Sequence, residues 1–147
     1  MIGQNKQGMS VIVQTVSRLT AGMILVFGIH IVLHGHLSPG GGFAGGVIIA
    51  LAFVNLLIAF GSGSGISKIS VNLASNLETI GAIMFLIVAL MGFLGGTFFL
   101  NILSKGESFS LFSAGTIPLS NISIGLKVGV GLFAIFLALV LLERARK

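Results

Sequence analysis

Cysteine is absent from this 147-residue chain. That rules out a disulfide framework, a thiolate nucleophile and any cysteine-based metal site. Tryptophan and tyrosine are absent as well, so 12 phenylalanines are the only aromatic residues left to sit at a membrane boundary. Charge is scarce: 7% of residues are Asp, Glu, Lys or Arg, against about 25% in a soluble domain. With 55% hydrophobic residues and a mean hydropathy of +1.15, water cannot be the main solvent of the fold. The formal charge of +5 does not point to nucleic acid. The cations are scattered, and the closing Arg144, Arg146 and Lys147 are better explained by retention on the cytoplasmic side.

What the chain has instead is glycine, in an unusual place. Between the apolar runs Leu19–Leu33 and Val47–Phe60 lies His34-Gly35-His36-Leu37-Ser38-Pro39-Gly40-Gly41-Gly42-Phe43-Ala44-Gly45-Gly46. Ser38 and Pro39 read as an N-cap followed by proline at the first helical position. Gly41 and Gly45, and again Gly42 and Gly46, are four apart. That spacing makes a side-chain-free strip on which another backbone can lie closely. The stretch predicts a tight outer turn leading into a helix built for contact.

In chain order, Met1–Gln7 is a short polar lead without the features of a signal peptide. The runs that follow predict an all-α integral membrane protein with four transmembrane helices, at about residues 12–36, 40–60, 77–103 and 120–142 of a single domain, 1–147. The first helix is expected to start near Ser10, with Arg18 snorkelling or facing protein. Gly61–Gly65 reads as a flexible linker, and Ser104–Asn121 as a loop with enough apolar content to dip into the protein. Four spans place both termini on one side. With that side cytoplasmic, Lys6, Arg18, Lys68, Arg144, Arg146 and Lys147 lie inside, and Lys105 alone lies in an outer loop.

The polar residues within the apolar segments are the functional candidates. His30 and His34 share a helical face, with His36 just beyond. Three roles suit them: metal binding, proton passage, or hydrogen bonding within the fold. The last weighs most, because no carboxylate or thiolate is close in sequence to complete a metal site. Glu78 opens the third helix, where a carboxylate gains from the helix dipole; it also suits an inner vestibule. Lys127 lies roughly 8–12 Å below the outer end of the fourth helix, where an ammonium must pair or face water. These helices run in opposite directions, so Glu78 and Lys127 are expected to sit ~20 Å apart along the membrane normal. Lys127 would then answer to a group on another chain, which predicts a subunit. Gly92 with Gly96, and Gly125 with Gly129, repeat the four-residue spacing of helix-contact strips. Gly40–Gly46 lacks the Lys-Ser/Thr ending of a P-loop, so phosphate binding is excluded.

The stretch from His34 to Gly46 resembles the signature of the MnhB subunits of the multisubunit Mrp-type Na+/H+ antiporters. Leu77-Glu78-Thr79-Ile80-Gly81, Ser113–Asn121 and Gly125-Leu126-Lys127-Val128 are similar to later blocks of that family, in the expected order. The resemblance covers about Arg18 to Leu142 and extends to the homologous subunit of membrane-bound hydrogenases and related respiratory complexes.

It implies an accessory subunit, needed for assembly and for sodium/proton exchange, in the cell membrane among other membrane subunits. Na+ and H+ would be the ions of the complex, and no cofactor would be held by this chain. On this reading Lys127, Glu78, His30 and His34 are ion-pathway candidates. His36, Pro39, Gly40, Gly41, Gly42, Phe43, Gly45 and Gly46, with Thr116 and Pro118, are candidates for docking neighbouring subunits. The alternative is a structural spacer that carries no ion. A homo-oligomeric channel is disfavoured by the few pore-lining polar residues. Enzymatic activity is not expected, because no nucleophile–base pair or cofactor motif is present.

Overall fold

The computed structural model describes residues 9–61, 71–103, 106, 110 and 113–146. The polar lead, Lys6, Lys68, Lys105, Lys147 and all but the first residue of the Gly61–Gly65 linker lie outside the described residues. Among the described residues, four helices are long and apolar enough to cross a membrane. They are α1 (Val11–Leu33), α2 (Gly41–Phe60), α3 (Val71–Met91) and α4 (Ile117–Ala145). A 3-10 turn at Gly92–Gly95 ends the third.

Local chemistry sets each boundary. Ser10 caps α1, its Oγ accepting from Val13 N at 3.5 Å. At the other end, His34 O accepts from Leu37 N, from Ser38 N and from Ser38 Oγ. Ser38 therefore closes α1 instead of capping α2, which corrects the expected Ser38–Pro39 helix start. The cap of α2 is Gly40 at φ 125°, followed by Gly41 at φ 60°. Only glycine takes these conformations cheaply, and they turn the chain back on itself within a few residues.

The third helix differs most from expectation, running over Val71–Met91 where the hydropathy suggested residues 77–103. It starts early because Asn72, Ser75 and Asn76 continue the helix although they are polar. It ends early because Gly92 lets the chain double back. Phe99, at φ 60°, donates its N–H to Ala89 O at 3.2 Å, and a Cβ on Gly92 would strike the backbone of Phe99 and Leu100. Gly92 and Gly96 thus serve a turn and not a helix-contact strip.

Packing runs in the order α1–α2–α4–α3. The inner core is Val54 and Leu57 on α2 against Phe133 and Leu137 on α4. In lipid such contacts are held by van der Waals packing, since acyl chains are as apolar as leucine. The tightest contact is the α2–α4 seam. A Cβ on Gly46 would lie 2.8 Å from Gly125 O, and one on Gly42 would strike the Asn121 backbone. Across the turn, Gly42 N donates to Asn121 Oδ1 at 3.3 Å. Helix α3 packs chiefly against α4 and leaves a hydrocarbon-lined cleft of about 420 Å³, bordered by Leu33, Phe53, Leu77, Leu126 and Phe133.

Replacing Gly42 or Gly46 with alanine should lower stability by about 1–3 kcal/mol or more, since neither backbone can yield without breaking the seam. Gly22→Ala should cost nothing, because nothing lies within 4 Å of its added Cβ. Thermal unfolding of each variant in mild detergent reads the difference directly.

Candidate functional site

The site is built where α3 crosses α4. A Cβ on Gly81 would lie 2.9 Å from Lys127 N and 3.1 Å from Ser123 O, so the two backbones are nearly in contact there. One turn before Gly81 on α3 is Glu78, and one turn after Lys127 on α4 is Gly131. The Glu78 carboxylate lies about 3.5 Å from where a Gly131 Cβ would be. This small-residue crossing brings Lys127 Nζ to 3.6 Å from Glu78 Oε1.

That contact overturns the expected ~20 Å separation. The error lay in the helix start. Glu78 is not at the mouth of α3 but seven residues inside it, about 10 Å from Val71. Lys127 is ten residues inside α4, about 15 Å from Ile117. From opposite ends of a ~30 Å hydrocarbon layer, both therefore reach the middle.

The pair is not sealed. Its side chains are 48% (Lys127) and 41% (Glu78) exposed, on a face of α3 and α4 that no other part of the described chain covers. At 3.6 Å the contact is an ion pair without a hydrogen bond, and among the described residues the ammonium has no other partner. An open charged pair at mid-membrane depth cannot face acyl chains; it needs water or polar groups of another subunit.

The histidines belong elsewhere. His30 and His34 stack with ring centroids 4.0 Å apart, and His34 Nδ1 donates to His30 O at 3.1 Å. They stand on α1, which packs against α2 and lightly against α4, away from the Glu78–Lys127 pair. His36 Nε2 donates to Ser110 O at 3.1 Å, tying the α1–α2 turn to the segment that precedes α4. Among the described residues no group of three or more potential metal ligands converges.

The residues expected to dock neighbours divide into two sets. Gly42, Gly45, Gly46, Thr116 and Pro118 are buried within this chain. Gly42 and Gly46 form the α2–α4 seam, Gly45 packs on Gly28 and Val32 of α1, and Thr116 N donates to Asn101 Oδ1 at 3.0 Å. All five are taken up in packing within this chain. Pro39, Gly40 and Phe43 are exposed. His36 and Gly41 are half-buried.

Three contributors were missed from sequence. Asn121 links α4 to the start of α2, Asn101 braces the entry to α4 through Thr116 and Ala114, and Gly81 lets α3 approach Lys127. Gly81 was findable: it stands seven residues from both Ala74 and Val88, a period that marks one buried helix face.

The family model described as a domain related to the MnhB subunit of Na+/H+ antiporters matches residues 12–134. An uncharacterized protein of Methanocaldococcus jannaschii is 40% identical over 118 residues, which is 75% of this chain and 44% of that protein. A candidate antiporter subunit, mnhB2, of Staphylococcus aureus strain MRSA252 is 35% identical over 55% of this chain and 57% of its own length. A chain in the structure of the membrane-bound sulfane sulfur reductase, an archaeal respiratory membrane complex, superposes with a TM-score of 0.76 at 35% identity, over 90% of this chain and 58% of that one. This chain thus spans roughly half of the length of these relatives. The match over most of its length is decisive for kinship: the chain belongs to the family of domains related to the MnhB subunit of Na+/H+ antiporters.

Proposed function

We propose that the chain is an accessory membrane subunit of a cation/proton antiporter module, in which the Glu78–Lys127 pair forms one wall of an ion path completed by a neighbouring subunit. The observation that carries this reading is the pair itself, at mid-membrane depth and roughly half exposed. A pair kept only for stability would be enclosed by its own chain, or replaced by apolar residues at no loss. Here the open side faces outward, where a partner or water must complete it.

Na+ and H+ are the proposed ions, in keeping with the family. The host is a stand-alone antiporter or a redox-driven complex like the respiratory assembly that contains the structural relative. The plasma membrane, with cytoplasmic termini, is the proposed location, supported by the lysine and arginine distribution. Glu78 would attract the cation or hold the proton, and Lys127 would set the local field and release the carboxylate when the pair parts. His30 and His34 would act near the outer surface, and the exposed Phe43 and Pro39 would meet a neighbour.

Two outcomes follow. Neutralising one partner leaves the other charge uncompensated, so Glu78→Leu and Lys127→Leu should each reduce recovery of the assembled complex. The double variant should recover assembly above either single one, as measured by co-purification of the other subunits. That assembled double variant should nevertheless lose sodium-dependent proton exchange in vesicles by at least about tenfold, or ~1.4 kcal/mol of barrier. Full exchange in it would favour the spacer role instead.

A further inference from the structure

We propose that water and small cations reach the Glu78–Lys127 pair from one side of the membrane only, along a polar face on the first half of α3. This rests on the reading of the pair as part of an ion path, and supplies the direction of entry that reading lacks.

One exposed stripe of α3 carries residues 72, 75, 76, 79, 83, 86 and 90, at the spacing of a single helix face. Its composition changes abruptly along its length. From Asn72 to Thr79 it is Asn, Ser, Asn and Thr, all exposed. From Ile83 onward it is Ile83, Leu86 and Leu90, each about half exposed. The change falls at the level of Glu78, which flanks the stripe.

Depth gives the pattern its meaning. The ion pair lies near the membrane middle, so Asn72 to Thr79 occupies about 10 Å of the half-membrane on the side of α3's first residue. That is also the side of Val11 and Ala145. Thr79 Oγ1 donates to Ser75 O at 2.8 Å and could tolerate lipid on its own. The amide of Asn76 cannot, because an exposed amide in hydrocarbon costs several kcal/mol. The apolar half, by contrast, suits lipid or a dry protein contact.

Toward the opposite side α3 and α4 close on each other. There α4 turns Ser123 (fully buried) and Thr116 (nearly so) inward. Both Ser120 and Ser123 return their hydroxyls to the α4 backbone, at Thr116 O and Leu119 O. The Gly81 crossing then closes α3 on α4 beside Lys127. A charged pair open to a polar half-channel below and stopped by close packing above has the geometry of a one-sided vestibule.

Because the chain has no native cysteine, introduced thiols report access cleanly. The assembled complex would carry Ser75→Cys, Thr79→Cys, Ile83→Cys or Leu86→Cys, in right-side-out and inside-out vesicles. A membrane-impermeant cationic methanethiosulfonate reagent would be added, with Met9→Cys marking the terminal side. We expect Ser75→Cys and Thr79→Cys to label from the terminal side at rates within about tenfold of Met9→Cys, and from the other side not at all. Ile83→Cys and Leu86→Cys should label from neither.

Labelling of Thr79→Cys from the opposite side, from both sides or from neither would overturn the proposal, as would labelling of Ile83→Cys. If Thr79→Cys fails to assemble, amide hydrogen exchange on the unaltered complex in nanodiscs decides: residues 72–79 must exchange faster than 80–91. Access is read without any transport measurement. Loss of access with exchange still dependent on Glu78 rejects only the entry route. Access retained with exchange indifferent to Glu78→Gln rejects only the ion-path reading.

Discussion

The close approach of α2 to α4 governs the rest of the molecule. Gly46 against Gly125 and Gly129, and Gly42 against Asn121, leave no room for side chains and so fix how α4 is rotated. With about 100° of turn per residue, Lys127 lies roughly opposite Gly125 and must point away from α2. It meets α3, where Gly81 clears the space for it. The charged pair is thus a consequence of a glycine seam on the other face of the same helix. A bilayer offers no hydrophobic force to pull helices together, so such close contacts carry the association.

The molecule is also unequal from face to face. Most buried residues lie along α2 and the facing side of α4, while α1 and α3 leave much of their surface uncovered. For α1 that surface is mostly apolar but carries Thr15, Arg18, Thr20 and His30; the Arg18 guanidinium lies 5.2 Å from the ring of Phe60. Lipid can cover it. For α3 it begins polar and passes an ion pair before turning apolar. A chain that spends its interior on glycine packing and leaves its charges outside suits the proposed place in a larger assembly; the structural relative is a chain of a respiratory membrane complex.

Much of this was legible in the sequence. Four apolar runs in a chain with 7% charged residues leave few options besides a four-span bundle, and the four-residue glycine spacings marked the α2–α4 seam. The sequence misled where polarity and helicity part company. Asn72, Ser75 and Asn76 look like a loop on a hydropathy scale, yet they are the first turns of α3. Moving that start by six residues carried Glu78 from the membrane surface to its middle, and turned an improbable pair into a contact. The long apolar run past Met91 misled in the opposite sense, because hydropathy does not register a glycine turn at which the chain reverses. Thr116 and Pro118, expected to dock a neighbour, are buried within the chain.

An experimental structure of the complete complex in a lipid bilayer would decide whether the charged pair borders an ion path. The face bearing Glu78 and Lys127 is expected to lie against another subunit across a polar space that holds ordered water. That space is expected to open toward the side of Val11 and Ala145. Acyl chains packed directly over that face, with the pair enclosed by lipid and no polar neighbour, would contradict an ion path there.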